Sequence, residues 1–142
     1  MYCVVRGICR SIWNKSSGFE CRGEINDSCG HVEGDAALIL VADLLCRSFS
    51  EYGVVTRYAG DEFVVMLNTT DEPFIRKLIE NAKQNFAQEN KTNGKPYQMS
   101  ASMGYAVSNL SAETIGDFMN RIDRQMYQDK LAYYEENAGR KR

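Results

Sequence analysis

The feature that most constrains the fold is a pair of β-prone runs around a short acidic turn. Residues 54–58 and 63–67 are rich in β-branched and aromatic side chains. The four residues between them, Ala59-Gly60-Asp61-Glu62, form a tight connection. Since a connection this short joins neighbouring antiparallel strands, the pattern predicts a β-hairpin.

Helical periods lie on both sides of the hairpin. Apolar residues recur at helical spacing from Leu38 to Phe49, after a start signal at Gly34-Asp35. A second helix is predicted from near Pro73 to a turn at residues 93–96. Residues 97–107 look like a strand in which Gly104 marks a bulge or a close backbone approach, and a last helix follows Ser111. The order is compatible with a βαββαβ domain.

Composition limits both the size and the environment of the domain. A chain of 142 residues with 44% hydrophobic residues can bury one core, so one domain is expected. A net charge of -2 gives no basic surface for a nucleic-acid polymer. The sequence has neither an apolar stretch long enough to span a membrane nor a signal peptide pattern. We therefore expect a cytoplasmic protein, and we expect that this chain does not insert into a membrane.

The cysteines and the single histidine suggest no separate chemistry. Five cysteines without a Cys-x-x-Cys pair favour reduced thiols over a disulfide framework. A metal site built from Cys21, Cys29 and His31 fits no standard zinc spacing. His31 lies among turn residues, and we interpret it as a loop histidine that hydrogen-bonds its own turn.

Both chain ends are expected to differ from the central region. Residues 2–5 could form a short strand, but residues 1–23 show no sustained period and are interpreted as an irregular or altered N-terminal segment. The domain itself is assigned to residues 24–134, and residues 135–142 form a charged, frayed tail.

The acidic turn could carry chemistry. Gly60 permits a positive φ and lets a phosphate approach the main chain, while Asp61 or Glu62 can offer oxygen ligands to magnesium. The alternative is a surface turn whose acids are merely solvated.

Five ordered blocks together resemble the motifs of the GGDEF (diguanylate cyclase) family. They are Ile25-Asn26-Asp27; Gly30-His31-x-x-Gly34-Asp35; Arg57-Tyr58-Ala59-Gly60-Asp61-Glu62-Phe63-Val64; Ser102-x-Gly104; and Ile122-Asp123-x-x-Met126-Tyr127-x-x-Lys130. The resemblance implies the family's α/β (α+β) fold, a central and mostly antiparallel sheet flanked by helices, like a polymerase palm or a ferredoxin. It also implies that two GTP molecules are joined into cyclic di-GMP with release of pyrophosphate.

The resemblance assigns roles to individual residues. Asn26 and Asp35 match the residues that recognise guanine, although an Asx turn and a helix cap are the plain alternatives. Asp61 matches the acid that binds Mg²⁺ (or Mn²⁺), and Glu62 matches a neighbouring acid needed for activity. Lys130 matches a phosphate-binding lysine, with Gly60 beside the phosphates, but could be a solvated helix residue. Because one domain holds one GTP, the chemistry requires a homodimer.

The main departure from the family pattern concerns the metal ligands. The first metal-binding aspartate is expected nine residues before Asp27, where this sequence has Gly18. Glu20 lies two residues further on and is a candidate replacement. Loss of one carboxylate is expected to impair turnover, because magnesium depends on few protein ligands. The alternatives are an impaired cyclase and an inactive domain that binds GTP or a partner.

Smaller departures affect the turn, the phosphate site and regulation. Ala59 replaces the first glycine of the signature, which a turn accepts if its φ is negative. Tyr134 replaces an arginine expected one turn after the lysine, and Arg22-Gly23 replaces an aromatic-lysine pair. Ser50 and Gly53 occupy the positions of the inhibitory product site, so feedback inhibition there is not expected.

Overall fold

The computed structural model describes residues 3–9, 12–13, 20–21, 30–95, 97–108 and 111–138. Its strands are β1 (Cys3–Cys9), β2 (Ile12–Trp13), β3 (Glu20–Cys21), β4 (Gly53–Ala59), β5 (Glu62–Leu67) and β6 (Ala101–Val107). Its helices are α1 (His31–Phe49), α2 (Glu72–Thr92) and α3 (Ile115–Ala138).

Four of the strands form one antiparallel sheet in the order β4-β5-β1-β6. β2 and β3 form a separate two-stranded ribbon, in which Trp13 pairs with Glu20. The mixed α/β architecture with a central antiparallel sheet is the predicted fold class, and the predicted hairpin is β4–β5.

The two faces of the sheet are covered by different helices. Val5, Phe63, Val65 and Leu67 belong to a core that also includes the buried faces of α1 and α2. On the opposite face, Ala106 and the half-buried Val4 pack with Phe118 and Ile122 of α3. This division follows from strand geometry, because successive side chains point to opposite faces of a sheet. Burying each of the larger apolar side chains contributes about 2 kcal/mol.

β1 is an inner strand, which the sequence did not indicate beyond a short strand at residues 2–5. It pairs with β5 on one side and β6 on the other. Arg6 and Gly7 interrupt its apolar pattern, whereas its backbone groups find partners on both sides. Residues 3–9 therefore belong to the same sheet as the hairpin and not to an irregular segment; the domain limits at residues 24 and 134 stay predictions.

α1 begins earlier than its sequence signal. Its first residue is His31 and its cap is Gly30, which has φ 85°. Gly34 N donates to Gly30 O at 3.1 Å, so the helix has already formed where the sequence predicted its start. Consequently Asp35 lies inside the helix and is not its cap, and His31 is an exposed helical residue and not a loop histidine.

The other two helices begin at side-chain caps. Asp71 accepts a hydrogen bond from Phe74 N at 3.2 Å and caps α2. The helix therefore begins near Pro73, as predicted. Thr114 caps α3, since its Oγ1 accepts from Asp117 N at 3.1 Å, and the helix follows Ser111 as predicted. α3 continues to Ala138, so residues 135–138 of the expected tail are helical. None of the helices described has an apolar stretch long enough to cross a membrane.

Candidate functional site

The signature turn, residues 59–62, closes the hairpin with a two-residue loop. Ala59 pairs with Glu62, which leaves Gly60 and Asp61 between the strands. Gly60 has φ 45°, a conformation that favours glycine. The Nε of Arg57, in β4, donates to Gly60 O at 2.7 Å and so stabilises the loop. Ala59 is the last residue of β4, whose extended backbone has a negative φ, so the extra methyl group is accommodated.

Sheet register places residues of β1 and β6 in line with this turn. Glu62 pairs with Ile8, which in turn pairs with Ser102. One row further in, Phe63 pairs with Gly7, which pairs with Met103. We call this end of the sheet, where β4 ends and β5 and β6 begin, the signature end.

The C-terminal half of α3 lies at the signature end. Asp129 Oδ2 accepts a hydrogen bond from Met103 N at 2.9 Å, which fixes this part of the helix beside the row of paired residues Phe63, Gly7 and Met103. The next residue is Lys130, whose half-buried side chain holds its Nζ 5.7 Å from the centre of the Tyr134 ring. β5 and β6 are separated by two strand spacings, about 10 Å, so the strand to which Asp129 is bonded lies two strands away from the strand that follows the signature turn.

The start of α1 lies at the same end. The chain reverses between Phe49 and Gly53, and α1 packs along β4, so it runs antiparallel to that strand. α1 is about 28 Å long and β4 about 23 Å, so the helix begins near the level of the turn. Asp35 is exposed in the second turn of α1.

A polar cluster fixes the start of α1. Glu33 Oε1 accepts from Lys95 Nζ at 2.5 Å and from the hydroxyl of Tyr97 at 2.7 Å. These hydrogen bonds, first that from Lys95 and then that from Tyr97, lower the pKa of Glu33 below its usual 4.5. Since Tyr97 precedes β6, the cluster ties α1 to the strand that begins at the signature end.

The structure therefore brings Asp35, Gly60, Asp61, Glu62 and Lys130 to one end of the sheet. Asn26 and Gly18 lie outside the described residues. Glu20 lies in the β2–β3 ribbon, and its side chain is likewise outside the description.

Carboxylates for metal binding are concentrated in the turn. β1, the strand beside the turn, has the sequence Cys-Val-Val-Arg-Gly-Ile-Cys and contains no Asp or Glu. Within the described part of the chain, no three His, Cys, Asp or Glu residues are grouped as metal ligands. Asp61 and Glu62 suit one divalent cation held jointly with phosphates, which is a common arrangement for magnesium. Asp61 and Glu62 are adjacent in the chain, and β1 adds no acidic residue beside them.

Gly53 leaves no room for a side chain at its position in β4. A Cβ built on this residue would lie 1.9 Å from Met66 O and 2.8 Å from Met66 C, so no residue larger than glycine fits without backbone movement. An aspartate at this position is sterically excluded in addition to being absent from the sequence.

Residues 22–135 match the family described as diguanylate cyclase, GGDEF domain. The chain belongs to the GGDEF family. It is 29% identical over 107 residues to Diguanylate cyclase A of Treponema denticola, an alignment that covers 75% of this chain and 29% of that protein. It is 29% identical over 129 residues to the signaling protein YkoW of Bacillus subtilis, covering 82% and 16% of the two chains. Thus the chain spans less than a third of either relative.

Solved GGDEF structures share the fold. The diguanylate cyclase SiaD of Pseudomonas aeruginosa superposes with a TM-score of 0.71 at 22% identity, covering 92% of this chain and 46% of that one. An EAL/GGDEF domain protein from M. capsulatus superposes with a TM-score of 0.68 at 26% identity, covering 92% and 79%. The central antiparallel sheet is therefore common to this GGDEF domain and to these solved structures.

Proposed function

We propose that this GGDEF domain binds one GTP across the signature end of its sheet and turns it over slowly or not at all. Asn26 and Asp35 would contact the guanine, since an amide and a carboxylate together match the purine's acceptors and donors. Gly60 and Lys130 would contact the phosphates. Asp61, assisted by Glu62, would hold one Mg²⁺ or Mn²⁺ against them.

The observation that carries this proposal is the register of β1. Glu62 is paired with Ile8, and β1 has no acidic residue between Cys3 and Cys9. Joining two nucleotides requires a 3′-hydroxyl to attack an α-phosphate while pyrophosphate leaves. Two metals are well suited to stabilising both oxygens, and within the described residues no three His, Cys, Asp or Glu side chains are grouped as metal ligands. We therefore infer a domain in which GTP binding is separated from turnover.

Calorimetry and chromatography on the same sample test the proposal. Titration with GTP and Mg²⁺ should show saturable binding, and chromatography should then find no accumulation of cyclic di-GMP. Repeated turnover would show a competent cyclase, whereas absence of heat at millimolar GTP would show a domain with no nucleotide site.

A matched pair of variants assigns the binding to the turn. Asp61→Asn should weaken Mg²⁺-dependent GTP binding about tenfold, because it removes a charged ligand. Asp43→Asn is the control, since Asp43 is an exposed acid on α1 whose ion pair is with Arg47, one turn further on in the same helix. Equal effects of the two variants would show that net charge alone determines affinity.

Any residual cyclisation requires a homodimer, because one domain presents one GTP. Its rate should then rise with the square of protein concentration while dimers are scarce.

Since GTP is a cytoplasmic nucleotide, we also propose that the domain is cytoplasmic. Product should not inhibit through residues 50–53, where Gly53 leaves no room for a side chain.

A partner-binding role is the second candidate, and exposed apolar side chains favour it. α3 covers β6 and β1 on its face of the sheet, while Val54, Tyr58 and Met66 on the other two strands are 66%, 70% and 47% exposed. This role would be favoured if GTP failed to bind.

A further inference from the structure

α3 contacts the edge of the sheet through three polar side chains at four-residue spacing. Arg121 Nη2 donates to Val107 O at 2.9 Å, Gln125 Oε1 accepts from Tyr105 N at 3.1 Å, and Asp129 Oδ2 accepts from Met103 N at 2.9 Å. Residues four apart share one face of a helix, so the three form a ladder along β6. Together they fix how far α3 can slide along that strand.

Asp129 has a second partner on the other side of the sheet. Its Oδ1 forms a close ion pair with Lys83 Nζ, and the two side chains are 24% and 36% exposed. Lys83 belongs to α2, which packs on the opposite face from α3. The pair therefore joins the two helix layers around the edge formed by β6.

Apolar anchoring of α3 ends before this point. Among residues 115–136, the part of α3 whose side chains the structure describes, Phe118, Ile122 and Met126 are buried, and residues 127–136 are exposed or half-buried. The position of the helix at residues 129 and 130 thus depends strongly on polar contacts, of which Asp129 supplies two.

We propose that Asp129, held by Lys83, is a positioning residue for Lys130 and hence for the phosphates of the bound nucleotide. The row to which Asp129 is bonded, Met103–Gly7–Phe63, lies next to Glu62 in the signature turn. Fixing Asp129 in this row fixes the following residue at the same level. The inference rests on the proposed GTP site and adds the group that sets its geometry.

A double-mutant cycle with two ligands tests the inference. Asp129→Ala should raise the Kd for Mg²⁺-GTP about fivefold and leave the Kd for guanosine, which has no phosphate, unchanged. In the Lys130→Ala background, Asp129→Ala should cause no further loss, because the residue it positions is gone. Lys83→Met should weaken Mg²⁺-GTP binding less than Asp129→Ala does and should leave guanosine binding unchanged. Lys77 is exposed on the same helix, and Lys77→Met should change neither affinity.

The outcomes separate this inference from the site on which it rests. Equal losses for guanosine and GTP, or a full further loss in the Lys130→Ala background, would mean that Asp129 only stabilises the fold. Unchanged GTP binding in both Asp129→Ala and Lys83→Met would also overturn the inference while leaving the GTP site intact. No GTP binding by the wild-type protein would instead overturn the proposed function, and this inference with it. If Asp129→Ala does not fold by circular dichroism, Lys83→Met takes its place in the cycle.

Discussion

Gly104→Ala should be among the most destabilising single-methyl changes in this domain. A Cβ on Gly104 would lie 2.3 Å from Ile122 O, 2.7 Å from Met126 N and 3.1 Å from Met126 Cβ. Two of these atoms belong to the α3 backbone, so no side-chain rotation can relieve the overlap. The helix would have to move away from β6 by roughly 1 Å, which costs about 3 kcal/mol on the scale of overpacked cores.

The matched control is Gly7→Ala on the adjacent strand. Gly7 is the partner of Met103, and a Cβ there would lie 3.6 Å from Met103 Cγ, an ordinary van der Waals contact. This variant should cost less than about 1 kcal/mol.

Urea unfolding followed by circular dichroism at 222 nm measures both free energies. We expect a lower urea midpoint for Gly104→Ala at an unchanged slope, since the surface exposed on unfolding stays the same. If Gly104→Ala cost no more than Gly7→Ala, the close contact between α3 and β6 would be refuted. The same variant should also weaken GTP binding if Lys130 takes its position from this contact.

Three further predictions concern single side chains. Hydrogen bonding lowers the pKa of Glu33, so the contribution of Glu33 to the free energy of unfolding should be fully present above about pH 4.5 and be lost as pH falls through the lowered value. In urea unfolding, Glu33→Gln should lack this acid dependence. Burial, followed by the hydrogen bond to Glu72, raises the pKa of Tyr105, so its contribution should be complete below about pH 10 and be lost as pH rises further; Tyr105→Phe should lack that alkaline loss. Asp71→Ala should lower the free energy of unfolding by about 1 kcal/mol, because it removes the side-chain cap of α2, and an unchanged urea midpoint would contradict this.

Local signals explain which parts of the fold the sequence predicted. The hairpin and α2 carry their own patterns and end signals, such as Gly60 in the turn and Asp71 before Pro73, and both appear in the structure. The close approach predicted at Gly104 is also confirmed. The sequence signal for the start of α1 lies too late, because Gly30 caps the helix through its backbone conformation and no side chain marks that position.

Tertiary pairing explains what the sequence did not predict. Counting back from Asp27 leads to Gly18, but the strand beside the turn is β1, and its register with β5 depends on backbone hydrogen bonds that spacing along the chain does not encode. The roles of Asp129 and Gly53 likewise depend on neighbours distant in sequence. A polar residue at every fourth position, from Arg121 to Asp129, was the available signal for the ladder on α3.

Because β1 has no acidic residue, it offers no metal ligand and also needs no metal for its stability. A carboxylate on an inner strand is costly to desolvate unless a cation or several donors compensate it, whereas the backbone pairing of β1 does not depend on its side chains. An acid-free β1 therefore needs no metal to stabilise it. Mg²⁺ without nucleotide should accordingly shift the thermal midpoint of this domain by less than about 1 °C, because little is gained by binding an ion to the turn alone. A larger shift would reveal further carboxylate ligands, with Glu20 the first to test by substitution with glutamine.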